Sequence, residues 1–130
     1  MTQTAKKILL AEDDSFTQYM MGEIFSTLGY EYDIAKDGQE CQDIVFANPD
    51  EYGVILMDIH MPKVSGVDAA RGIRSVDTDP PKSIPIIAVT ADSDYHDDGT
   101  VTSNGMNGYL RKPIIASEIN DIVHKFCTIP

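Results

Sequence analysis

The sequence predicts an α/β fold in which a parallel sheet lies between layers of helices. Three observations carry this expectation. Apolar runs and amphipathic helical stretches alternate five times along the chain. The runs at Lys7–Ala11, Gly53–Asp58 and Ile84–Thr90 are continuously apolar at their centres, as expected of strands covered on both faces. The chain has 130 residues, enough for one hydrophobic core and too few for two.

Taken in order, Lys7–Ala11 is the first strand. Ser15 is placed to cap a first helix whose apolar residues Phe16, Met20, Ile24 and Leu28 recur at helical spacing. Met21 and Phe25 widen that stripe, and Gly29 ends it. Helix packing is the expected role of the Met20-Met21 pair. Glu31–Ala35 reads as a more polar second strand near an edge. Asp37-Gly38 opens a helix carrying Cys41, Ile44 and Val45, which Asn48-Pro49 stops. The third strand, Gly53–Asp58, ends abruptly in a carboxylate. A loop marked by Met61-Pro62 and Gly66 leads into a helix through Val67, Ala70, Ile73 and Arg74. The polar segment Asp77–Ser83 connects to a fourth strand, Ile84–Thr90. Asn107–Arg111 is a short fifth strand, and Ser117–Phe126 is a closing helix with Ile119, Ile122, Val123 and Phe126 on one face.

Composition narrows the function. Ten Lys+Arg against 21 Asp+Glu give a net charge of −11, which counts against a stand-alone nucleic-acid binder and against attraction to an anionic membrane surface. At 42% hydrophobic and 24% charged residues, the chain has an ordinary globular composition, so the acidity does not imply disorder. The polar start and the short run Ile8–Ala11 lack the core of a signal peptide and the length of a membrane span. Cys41 and Cys127 form no CxxC and are expected as reduced thiols, which points to the cytoplasm.

In open parallel sheets, sites form at the carboxyl ends of strands. Here the first strand is followed by Glu12-Asp13-Asp14, the third ends in Asp58, the fourth ends in Thr90, and the fifth is followed by Lys112-Pro113. Two carboxylates about 5 Å apart at an effective dielectric of about 20 repel by roughly 3 kcal/mol. Such a cluster calls for raised pKa values or a bound cation, and an all-oxygen set suits Mg²⁺. With Thr90 as donor and Lys112 as positive charge, the arrangement describes a phosphoryl-transfer site with Asp58 as nucleophile.

These motifs resemble the receiver domain of two-component response regulators over nearly the whole chain, from about Lys7 to Phe126. The matching segments are Ile8–Asp14, Leu56–Pro62 with Gly66, Pro85–Ala91 and Gly108–Pro113. The resemblance implies a flavodoxin-like (βα)5 fold with strand order 2-1-3-4-5 and helices on both faces. It implies that Glu12, Asp13, Asp58 and the backbone carbonyl of His60 hold Mg²⁺, and that Asp58 is the phosphoacceptor. Thr90 and Lys112 contact the phosphoryl group in this comparison, Thr90 and Tyr109 form the switch, and His60 and Asp92 tune dephosphorylation. It also implies a cis bond at Lys112-Pro113. The implied donor is a histidine kinase or a histidine phosphotransfer protein, and the implied target face is the fourth helix, fifth strand and fifth helix. Neither nucleic acid nor membrane is implied as a partner. No enzyme activity is expected beyond the domain's own phosphorylation and dephosphorylation.

Departures from the pattern set further expectations. Glu12 stands where many members carry Asp, Asp14 is expected to start the first-helix cap region, and His124 is expected on a solvated helix face. Asp92–Asn104 has poor helix propensity, with Tyr95 and Val101 as its main apolar residues. The fourth helix is therefore expected to be short, frayed or irregular, with an acidic and mobile face. A calcium loop starting at Asp94 would need Glu at its twelfth position, where Gly105 stands. The 130 residues are expected to form a single receiver domain, free-standing or excised from a hybrid histidine kinase or longer regulator. Two other readings are a non-phosphorylated pseudo-receiver that acts as a binding module, and a phosphatase-like hydrolase. The latter wants Asp where His60 stands.

Overall fold

The computed structural model describes residues 6–126, so Cys127 lies outside the described residues. Five parallel strands form one sheet in the order β2-β1-β3-β4-β5. They are β1 (Lys7–Ala11), β2 (Tyr32–Ala35), β3 (Tyr52–Asp58), β4 (Ile86–Thr90) and β5 (Gly108–Arg111). Both expectations, the parallel α/β class and this strand order, hold. β4 begins at Ile86 rather than Ile84. Pro85 has no N–H to give the ladder, although its carbonyl accepts from Ile55 N at 2.8 Å.

Alternation along the strands divides the core into two layers. Leu9, Ala11, Ile55, Met57, Ile86 and Ala88 face α2 (Gly38–Ala47), α3 (Gly66–Arg74) and α4 (Asp98–Ser103) through Cys41, Val45, Ala70, Ile73 and Val101. Ile8, Leu10, Val54, Leu56, Ile87 and Val89 face α1 (Ser15–Leu28) and α5 (Ala116–Phe126) through Met21, Phe25, Ile119 and Val123. Each face of β3 therefore meets a helix layer, and all seven of its residues are buried.

Helix α1 differs from the expected stripe. Phe16 is 67% exposed and Met20 41% exposed, while Met21 and Phe25 point into the core. The helix is registered on Gly22, where any Cβ would overlap the Tyr32 hydroxyl, so the close approach to β2 selects the Met21–Gly22–Phe25 face. The cap is Asp14 rather than Ser15. Its carboxylate accepts from Thr17 N and from the Thr17 hydroxyl, both at 2.8 Å, and these bonds hold it below the usual carboxylate range.

Asp92–Asn104 folds as a 3-10 turn at Ser93–Tyr95 followed by the six-residue α4. Asp92 accepts from Asp94 N and Asp97 from Thr100 N, so two of the acids serve as successive caps. Val101 anchors the short helix in the core and Tyr95 packs partly against it.

Candidate functional site

The carboxyl ends of β1, β3, β4 and β5 bring Glu12, Asp13, Asp58, His60, Thr90, Asp92 and Lys112 into one open cleft, which Tyr109 does not line. Glu12 is almost wholly buried, Asp58 is buried, and Asp13 is exposed at the mouth. One oxygen from each of these carboxylates lies within 4.8 Å of the others. Lys112 Nζ stands 2.9 Å from Glu12 Oε1 and 3.6 Å from Asp58 Oδ1. Glu12 is further held by Asp14 N–H donating to Oε2 at 3.1 Å and by Gln18 Nε2 donating to its carbonyl at 2.6 Å. Asp14 itself turns away as a helix cap.

Thr90 is buried at the end of β4, with its hydroxyl accepting from Asp92 N at 3.0 Å. His60 Nε2 and Asp92 Oδ2 are 2.8 Å apart, bridging the β3 and β4 loops beside the cleft. That bond, followed by the one from Asp94 N, holds Asp92 below the usual carboxylate range. The Lys112–Pro113 bond is cis. Tyr109 is half-buried, and its ring stacks on His96 at 5.6 Å between centroids. The sequence does not single out His96, because a lone histidine in a polar loop carries no spacing signal. His124 is exposed on α5, with Nδ1 3.3 Å from the Tyr30 hydroxyl.

Burial, and then the neighbouring Glu12 charge, push Asp58 up to about 7. Burial works against the Lys112 ammonium, but its bond to Glu12 and the charges of Asp58 and Glu12 outweigh that and raise it. This has a measurable consequence for stability without divalent cations. Unfolded Asp58 releases its proton near 3.8, whereas folded Asp58 keeps it to about 7. Between those values the folded state binds more protons, so stability contributed by this group is present below pH 3.8 and is lost as pH rises to about 7. Chelated wild-type protein should therefore lose more thermal stability than Asp58→Asn over that interval. Parallel melting curves for the two proteins would contradict it.

The donor set is entirely oxygen, carries up to three negative charges and opens to solvent at Asp13. It suits a hard divalent cation that keeps part of its water shell.

The model of the response regulator receiver domain matches residues 8–124. The chain belongs to the response regulator receiver domain family. It is 31% identical over 109 residues to the polar-differentiation response regulator DivK of Brucella anthropi, covering 84% of this chain and 85% of DivK. It is 35% identical over 129 residues to the osmosensing histidine protein kinase SLN1 of Saccharomyces cerevisiae, covering 96% of this chain and 10% of the kinase. The receiver domain thus spans a tenth or less of the hybrid and sensor kinases among its first curated relatives. Among solved structures, it superposes on the receiver domain of the sensor histidine kinase PA1611 of Pseudomonas aeruginosa PAO1 with a TM-score of 0.81 and 31% identity. That match covers 95% of this chain and 98% of the other, whose active-site cleft coordinates a magnesium ion. The receiver domain of Saccharomyces cerevisiae Ssk1, crystallised with the phosphotransfer protein Ypd1, gives a TM-score of 0.78 at 25% identity, covering 96% of this chain and 92% of that one.

Proposed function

We propose that Asp58 accepts a phosphoryl group from a phosphohistidine donor and that the resulting charge switches partner binding. The observation that carries this reading is one buried carboxylate flanked by two acids on one side and an ammonium 3.6 Å away on the other. A carboxylate oxygen of Asp58 attacks phosphorus while the donor P–N bond breaks. The electron pair returns to the imidazole nitrogen, and the product is an acyl phosphate. Lys112 balances charge on the phosphoryl oxygens, and the Thr90 hydroxyl donates to one of them. Glu12, Asp13, Asp58 and the His60 carbonyl would hold Mg²⁺, the ion found in the related PA1611 receiver cleft. When bound, Mg²⁺ supplies positive charge that screens the carboxylates and the transferred group. Hydrolysis by water then returns Asp58 and releases phosphate.

A histidine kinase or a histidine phosphotransfer protein is the donor, a choice supported by the Ssk1–Ypd1 complex of a similar domain. It docks on the apolar groove between α1 and the loop after β5. Exposed Phe16 and Met20 border that groove, which shares Thr17 and Lys112 with the reaction cleft. The face of α4, β5 and α5, which carries Tyr109, engages the downstream target. Residues 1–130 work as one receiver unit in the cytoplasm, turning over nothing but their own phosphoryl group. The same chemistry serves a free-standing regulator or a receiver within a longer chain.

Incubation with Mg²⁺ and acetyl phosphate should give a single phosphoryl adduct by intact mass, lost in Asp58→Asn and on chelation. No adduct would favour the pseudo-receiver, and sustained release of phosphate from phosphomonoesters would favour the hydrolase.

Because His60 and Asp92 are directly bonded, their effects on acyl-phosphate lifetime should not add. His60→Asn and Asp92→Ala should each alter the decay rate, with a coupling of about 1 kcal/mol, or about fivefold, in the double variant. Unchanged decay in both single variants would remove them as tuning residues.

A further inference from the structure

We propose that His96 is the positioning residue that links Thr90 to Tyr109. This rests on the reading of Asp58 as phosphoacceptor and adds a residue to the response that follows. The Thr90 carbonyl accepts two hydrogen bonds, from Lys112 N at 3.1 Å and from His96 Nε2 at 2.8 Å. Because the acceptor is a carbonyl, Nε2 carries the proton. The other side of the link is the imidazole face, which lies against the Tyr109 ring at 5.6 Å with 23° between planes.

The backbone holds His96 where both contacts are made. It closes the 3-10 turn Ser93–Tyr95, with its N–H donating to Ser93 O at 3.1 Å. That turn is capped by Asp92, whose own N–H donates to the Thr90 hydroxyl. Thr90 is thus tied to the same short loop through both its hydroxyl and its carbonyl. On β5, Tyr109 pairs across from Ala88, two residues before Thr90, so strand register separates the two residues by two positions along the ladder. His96 spans that offset from outside the sheet. A rotation of the Thr90 hydroxyl toward a phosphoryl group on Asp58 breaks its bond with the Asp92 N–H, which loosens the capped turn that carries His96; the imidazole shifts on the Thr90 carbonyl, and the stacked phenol ring follows it.

Neither contact alone is sufficient for this role. Glutamine at position 96 keeps an amide donor and loses the ring, whereas phenylalanine keeps a ring and loses the donor. The test uses wild-type, His96→Gln and His96→Phe proteins labelled with 3-fluorotyrosine, with the Tyr109 fluorine resonance assigned through Tyr109→Phe. Each is treated with Mg²⁺ and acetyl phosphate, and intact mass is recorded on the same sample. All three should form the adduct, because His96 does not touch the reacting atoms. The displacement of the Tyr109 resonance on phosphorylation should fall by roughly twofold or more in both variants. A phosphorylated variant whose Tyr109 resonance moves as far as in the wild type overturns the link while leaving the phosphoacceptor reading intact. Absence of an adduct in the wild type overturns that reading and the link together.

Discussion

Lys112→Met should slow phosphorylation of Asp58 by about 10²-fold or more, the cost of removing one preorganised donor from a site of developing charge. The ammonium contacts Glu12 Oε1 at 2.9 Å and Asp58 Oδ1 at 3.6 Å, and its raised pKa keeps it charged across the neutral range. Methionine keeps the unbranched stem and drops the terminal ammonium, so loss of charge rather than loss of packing is what the substitution reports. It also leaves Glu12, almost wholly buried, without its ion-pair partner. Single-turnover labelling by acetyl phosphate at saturating Mg²⁺ measures the effect, and melting curves separate it from unfolding. Lys112→Arg should recover part of the rate, because the charge returns with a different geometry. A rate for Lys112→Met within about twofold of wild type would rule out phosphoryl contact by this side chain, since a preorganised donor is worth far more than that.

Gly66→Ala should be the most damaging single methyl addition near the site. A Cβ there would overlap the Asp58 carbonyl oxygen and crowd Ile59 Cα at 3.0 Å, both of them backbone atoms. The close approach is fixed by Gly66 N donating to Ile59 O at 2.8 Å, which folds the loop after β3 back onto the start of α3. With no flexible side chain to yield, the backbone of Asp58 must move. The expected loss is about 3 kcal/mol, in the range for overpacking and broken backbone contacts. For a chain of this size that is about 10 °C in Tm. Gly29→Ala is the natural control. Its φ of +83° makes alanine strained, but nothing lies within 4 Å, so about 1 kcal/mol is expected. Equal melting temperatures for the two variants would show that the contact with Asp58 yields easily.

Much of this arrangement was legible in the chain itself. A strand that is apolar and then ends in a carboxylate fixes both the direction and the end of that strand, as at Met57-Asp58. The residues at and after the strand ends, Glu12, Asp13, Thr90 and Lys112, therefore fall to one cleft on sequence order alone. The helix faces were less legible. Phe16 and Met20 share helical spacing with Ile24 and Leu28, but spacing alone does not register the stripe. The contact of Gly22 with Tyr32 does. His96 was invisible for a different reason: its partners are a backbone carbonyl and a ring thirteen residues onward, and neither leaves a pattern in sequence. Ser15 and Asp14 compete for the same cap, and the carboxylate takes it with two bonds to Thr17.

The acids and the cation of the cleft belong to parts of the sheet that differ in how readily they open. Glu12 and Asp58 hang on β1 and β3, each paired on both sides. Lys112 and Tyr109 hang on β5, a four-residue edge strand held by β4 alone. Edge segments with few buried contacts exchange their amide hydrogens through low-energy local openings, whereas central strands need something close to global unfolding. Amide exchange should therefore run faster at Gly108–Arg111 than at Ile55–Asp58. The Asp58 side of the cleft is built into central strands, and the Lys112 side is mounted on an edge strand that opens more readily.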